Sequence, residues 1–112
     1  MNVQQITSDY SVAPQLSAAD VKAVAAAGFK SIICNRPDAE HPGEAPADEV
    51  KAAAEKAGLE FRYIPVISGQ ITPQNIADQA AALAGLPGPV LAYCRSGARC
   101  TNLFGLVQQQ RR

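Results

Sequence analysis

The run CRSGAR, residues 94–99, follows directly on the apolar stretch PVLAY. A thiol that leaves an apolar run and enters a short loop bracketed by Arg95 and Arg99 is placed for nucleophilic chemistry on an anion. If a strand ends at Cys94 and a helix opens after the loop, backbone N–H groups and the positive end of the helix dipole surround the sulfur. Beside such a terminus and cationic side chains, a thiol pKa falls from about 8.5 into the range of roughly 3.5 to 7.5, which makes it a thiolate at neutral pH. Gly97 permits a backbone conformation closed to residues with a side chain. Arg99 can reach back over the loop and hold a tetrahedral oxyanion through two parallel hydrogen bonds. On this reading Arg95, Ser96, Gly97, Ala98 and Arg99 bind the anion and Cys94 attacks it. A cysteine taken alone reads as a small buried hydrophobe at a strand end. Strand, cysteine, glycine loop, arginine and helix together point to a site.

The elements that must carry this loop can be read along the chain. VQQIT and YSVA form an N-terminal hairpin around Ser8 and Asp9. Ser17 with Asp20 caps a first helix, Leu16 and Val21 staple it, and Gly28 ends it. KSIICN, residues 30–35, is a buried strand. A polar, proline-rich loop follows, and Pro46 opens a second helix that Gly58 stops. EFRYIPV is a strand ended by Pro65. Thr72 and Pro73 open a third helix, VLAYC is the last strand, and ARCTNLFGLVQQQ the last helix. Strands alternating with helices predict an α/β fold, a parallel-containing central sheet flanked by helices. In open sheets of that kind ligands bind beyond the carboxyl ends of the strands, which is where Cys94 falls.

Composition narrows the function classes. The chain has 112 residues, 47% of them hydrophobic, and 10 Lys plus Arg against 10 Asp plus Glu. One domain over 1–112 is expected, and a balanced charge argues against nucleic acid or an anionic membrane as partner. Apolar runs are too short to span a bilayer, and MNVQQITSDY lacks the basic start and apolar core of a signal peptide, so the cytoplasm is the expected location. Three cysteines, Cys34, Cys94 and Cys100, do not form a secreted disulfide pattern. With a single histidine and no CxxC, neither a metal nor another cofactor is expected, and the phosphate-binding GxxxxGK[ST] motif is missing.

CRSGAR is similar to the active-site loop of the cysteine-dependent phosphatase and rhodanese group. Together with APQLSAADVKAVAAAGFKSIICNRPDAE upstream and YIPVISGQITPQNI in the middle, the chain resembles the phosphatase-like domain of beta-lactamase-hydrolase-like proteins, over residues 6–107. That resemblance implies a cysteine phosphatase-like fold. It also implies a functional link to a metallo-hydrolase or a sulfur-oxidising enzyme, fused or alongside. In some dual-specificity phosphatases a second cysteine forms a reversible disulfide with the catalytic one, which makes Cys34 and Cys100 possible redox partners of Cys94; core filling and helix packing are the plain alternatives.

The sequence departs from the phosphatase pattern in two places. Tyrosine and dual-specificity phosphatases set five residues between Cys and Arg, then a Ser or Thr that hydrogen-bonds the thiolate. Here residues 95–98 make four, the length that resembles rhodanese sulfurtransferases, and Cys100 follows Arg99. The Thr101 hydroxyl is then a candidate for the bond to the thiolate. In dual-specificity phosphatases an Asp two residues after IPV protonates the leaving oxygen; here that position is Ser68, a poor proton donor near pH 7. A phosphatase must take its acid elsewhere, and the loop with Asp38, Glu40 and His41 is the acid-rich candidate, Asp38 being the expected acid.

Three functions follow. In the first, the Cys94 thiolate attacks a phosphate monoester held by the loop amides and Arg99. In the second, Cys94 carries sulfane sulfur as a persulfide. The third is a phosphate-recognition module without chemistry. The first two require Cys94.

Overall fold

Two short strands with no polar face form the middle of the sheet: β3 (Ser31–Cys34) and β5 (Val90–Tyr93) are buried at every position. Strands covered on both faces need continuous apolar sequence rather than alternation, as IIC after Ser31 and VLAY supply. The computed structural model describes residues 2–40 and 45–110. β5 runs parallel to β3 and to β2 (Tyr10–Ala13), and β4 (Glu60–Tyr63) runs parallel to the other side of β3. β1 (Gln4–Gln5) closes the edge antiparallel to β2, giving the order β1-β2-β5-β3-β4. This is the parallel-containing α/β sheet expected, with the N-terminal hairpin as its antiparallel edge.

Helices cover both faces. α1 (Val21–Ala26) and α2 (Ala47–Lys56) bury Val21, Val24, Val50 and Ala54 against Ile32, Leu91 and Tyr93. α3 (Pro73–Gly85) and α4 (Ala98–Gln110) bury Ala82, Cys100 and Phe104 against Ile33, Ala92 and Tyr10. The caps work as the sequence predicts. Thr72 accepts from the Asn75 N–H at 3.0 Å while Asn75 Oδ1 accepts from the Thr72 N–H at 2.9 Å, and Ser17 N–H donates to Asp20 at 2.9 Å. A 3₁₀ turn, Ala18–Asp20, precedes α1, so that helix is shorter than expected. β4 stops at Tyr63 because Pro65 has no N–H; Ile64 and Val66, on either side, still donate to Cys34 and Asn35 carbonyls at 2.9 Å.

The segment after β4 is fastened from beneath. Asn35, directly after β3, donates to the Ile64 carbonyl at 3.0 Å and to Gln79 Oε1 on α3 at 2.9 Å, and Gln79 returns a bond at 3.2 Å. Both side chains are buried. Asn35→Ala leaves the Gln79 amide without its partner, and the expected loss of stability is about 1–3 kcal/mol, read as a lowered denaturant midpoint.

Candidate active site

β5 carries Cys94 to the carboxyl edge of the sheet, and the chain turns through 95–97 into α4. Gly97 has φ +94°, so the turn needs the glycine. Its N–H donates to Cys94 Sγ at 3.1 Å. The next turn is tied locally, with Ala98 N–H donating to Ser96 Oγ at 3.3 Å and the Thr101 hydroxyl donating to the Gly97 carbonyl at 3.0 Å. Thr101 therefore does not reach the thiolate: its hydroxyl back-bonds within the first turn of α4.

The Cys100 thiol takes that place. It donates to Cys94, and with the backbone N–H groups of Cys100, Ser96 and Gly97 it holds the Cys94 pKa down to about 5 against the opposing effect of burial. Burial, then the neighbouring thiolate, pushes Cys100 well up, so one thiol of the pair stays protonated. α4 is anchored for this by Tyr10 of β2, whose hydroxyl donates to the Cys100 carbonyl at 2.9 Å and whose ring stacks on Phe104 at 4.3 Å. The neutral donor at this position is legible in hindsight, since a cysteine occupies the slot after Arg99. Replacing Cys100 by alanine removes a donor to the charged form, so the Cys94 titration should move up by about one to two pH units, whereas Cys100→Ser should hold it near its starting point. Alkylation rate against pH measures both.

The Cys94 sulfur is enclosed, at 0% exposure, beneath the loop. Beside the loop lies a cleft of about 690 Å³, lined by Arg95, Ser96, Ala98, Arg99 and Asn102 together with Ile67, Ser68, Gly69 and Ile71. Ser68 therefore stands in the cleft wall, where the resemblance places a phosphatase's acid. Arg95 and Ser96 are exposed. Glu40 also lines the cleft. It meets Arg99 in a bidentate pair, Nη1 to Oε2 and Nη2 to Oε1, both 2.6 Å, and Arg99 Nη1 donates further to the Val66 carbonyl at 2.9 Å. The Arg99 fork is thus preformed for two oxygens. Its hydrogen bonds hold the Glu40 carboxyl below the usual range, against the opposing effect of burial.

Asp38 is placed differently from the expected acid. Its Oδ1 accepts from the Ala47 N–H at 2.7 Å, and its own N–H donates to the Tyr63 hydroxyl at 3.0 Å. Pro46, at the N-cap of α2, has no side-chain acceptor, so Asp38 caps that helix from outside it and does not line the cleft. His41 lies outside the described residues. Cys34 pairs in register with Tyr93, so strand alternation turns it to the α1/α2 face while Cys94 packs on the α3/α4 face. Its thiol donates to the Arg36 carbonyl at 3.4 Å. Only Cys100 adjoins Cys94 directly. Among the described residues no group of three or more His, Cys, Asp or Glu is arranged to hold a metal, and no helix is long and apolar enough to cross a membrane.

The profile of the family described as beta-lactamase hydrolase-like protein, phosphatase-like domain, matches residues 2–111. The chain belongs to that family. A beta-lactamase hydrolase-like protein of Agrobacterium fabrum is 38% identical over 106 residues, 95% of this chain but 25% of the relative. The chain therefore spans about a quarter of that relative's length. A candidate phosphatase from Neisseria meningitidis, known from a crystal structure, superposes with a TM-score of 0.86 at 35% identity, covering 94% of this chain and 75% of that one. The catalytic core of the yeast PP-IP phosphatase Siw14 superposes at 0.74 over 97% of this chain and 65% of its own, with 14% identity, and shares the fold alone. The chain thus belongs to a phosphatase-like family and has the cysteine phosphatase-like fold that its loop suggests.

Proposed function

We propose that the domain is a cysteine-dependent phosphatase-like hydrolase with Cys94 as its nucleophile. The observation that carries this reading is the placement of Cys94 between the end of β5 and the start of α4, its Sγ accepting from the Gly97 N–H at 3.1 Å, with the Arg99 fork lining the cleft beside the same loop. A phosphate monoester entering the cleft meets Arg99 and the 95–98 loop through its phosphoryl oxygens. Sulfur attacks phosphorus, the ester oxygen leaves, and water hydrolyses the phosphocysteine. Ile67, more than half exposed in the cleft wall, offers an apolar contact to the leaving group.

A second reading, sulfur transfer, is favoured by the enclosure of Cys94. Sulfur added to Sγ extends the side chain by about 2 Å, and transfer of sulfane sulfur to a thiol calls for no acid at position 68. In either reading the functional partner would be a metallo-hydrolase or a sulfur-oxidising enzyme, fused to this domain or alongside it; a relative named beta-lactamase hydrolase-like protein is about four times the length of this chain.

Intact mass after incubation with a sulfane-sulfur donor separates the two. Gain of one sulfur on the wild type and none on Cys94→Ser makes Cys94 a persulfide carrier. No gain on a protein with reduced, alkylatable Cys94, together with release of inorganic phosphate from aryl phosphates, supports the hydrolase.

A further inference from the structure

The cleft poses a chemical problem: a phosphatase without an acid at Ser68 needs another proton donor for the leaving oxygen. Of the described residues lining the cleft, Glu40 alone carries a carboxyl group. It comes from the 3₁₀ turn Asp38–Glu40, which is fixed at its start by the Asp38 bonds to Ala47 and Tyr63. Its side chain remains 24% exposed and that of Arg99 10%, so the pair stands at the cleft surface and can be reached by a ligand. Both Glu40 oxygens occupy the fork that a phosphoryl group would require.

Resting on the phosphatase reading, we propose that Glu40 is the general acid and base of the reaction, released when the substrate's phosphoryl oxygens replace its carboxylate on Arg99. The exchange is local, since Glu40 and Arg99 line the same cleft and meet at 2.6 Å. Three cations lower its proton affinity in the empty site, Arg99 of α4, Arg36 after β3 and Arg95 of the loop. Once Arg99 binds the substrate, the strongest of these is taken up by the phosphate, and the neighbouring phosphate and Cys94 thiolate charges favour the protonated carboxyl. Glu40 then takes a proton from the substrate monoanion or from solvent. As the Cys94 S–P bond forms and the P–O bond breaks, the Glu40 carboxyl gives that proton to the leaving oxygen. The resulting carboxylate accepts a proton from the water that attacks the phosphocysteine, the S–P bond breaks, and inorganic phosphate and the thiolate are regenerated. The empty enzyme stores its acid as the counter-ion of its own anion-binding arginine.

Leaving-group dependence tests this. Wild type and Glu40→Gln are compared on p-nitrophenyl phosphate, whose phenolate leaves without help, and on phenyl phosphate, whose phenol has a pKa near that of tyrosine, about 10. General-acid catalysis contributes on the order of a hundredfold or more, so the kcat of Glu40→Gln on phenyl phosphate should fall at least about tenfold further than on the nitrophenyl ester. The alkaline limb of kcat against pH, due to loss of the Glu40 proton in the complex, should vanish in the variant. Equal loss on both esters, with the limb retained, overturns the acid role and leaves Glu40 as a positioning residue for Arg99. Unchanged rates also overturn it. If wild type with an alkylatable Cys94 turns over neither ester, the phosphatase reading falls and the Glu40 proposal with it, an outcome distinct from loss of the acid role alone.

Discussion

Cys94→Ser should reduce turnover by about a thousandfold or more, with the fold retained. The serine hydroxyl fits the same enclosure and accepts from the same Gly97 N–H, but its pKa lies far above the working range, so the donors that hold a thiolate at Cys94 cannot hold an alkoxide. Both the phosphoryl and the sulfane-sulfur readings require this loss; a variant of full activity would remove both. The substitution also has a signature in stability against pH. The Cys94 pKa is about 5 in the folded protein and ordinary, about 8.5, in the unfolded chain. A depressed folded pKa gives stability that is full above the unfolded value and is lost as pH falls through the folded one. Between about pH 5 and 8.5 the unfolded chain binds the extra proton, so wild-type stability should climb with pH relative to Cys94→Ser, and the two curves should run parallel below pH 5. Urea unfolding at several pH values reads the difference.

What the sequence disclosed, and what it concealed, divides by the range of the interaction. Ser17, Thr72, Gly28 and Gly97 act within a few residues of themselves, through caps and a positive φ, and their roles were legible as spacing. IIC and VLAY announced buried parallel strands because no polar residue interrupts them; Ser31 at the start of β3 is buried with its hydroxyl donating to the Pro87 carbonyl at 2.8 Å. Which carboxylate reaches Arg99 was not legible, because Glu40 and Arg99 are brought together across 59 residues by the β3-to-α2 connection. Asp38 and Glu40 are two residues apart in one turn, yet one caps α2 and the other enters the cleft; the cause is Pro46, which leaves the Ala47 N–H to be satisfied from outside the helix. Cys34 is similar. Only the register Cys34↔Tyr93 reveals that it faces away from Cys94. The Asn35–Gln79 amide pair carries no signal in a single sequence beyond a polar residue directly after an apolar strand.

Arg99→Lys should lower kcat/KM by roughly 10- to 150-fold although the positive charge is kept. The reason is geometric. Arg99 presents two nitrogens to two oxygens of Glu40 at 2.6 Å and a third contact to the Val66 carbonyl, so its plane is set by the cleft wall before any substrate arrives. A lysine ammonium delivers one compact charge on a flexible stem and cannot hold two oxygens side by side. The loss of one charge-assisted hydrogen bond, about 1.5–3 kcal/mol, gives the expected range. Most of it should fall on kcat if the fork tightens on phosphoryl oxygens only as charge develops, and on KM if it merely captures the ground state. Glu40 makes the variant more informative, because a lysine that no longer holds the carboxylate bidentately also frees it to protonate at higher pH. The alkaline limb of kcat/KM, set in the free enzyme by loss of the Glu40 proton, should therefore shift upward in Arg99→Lys; an unmoved limb would mean that the Arg99 pairing does not govern the Glu40 proton.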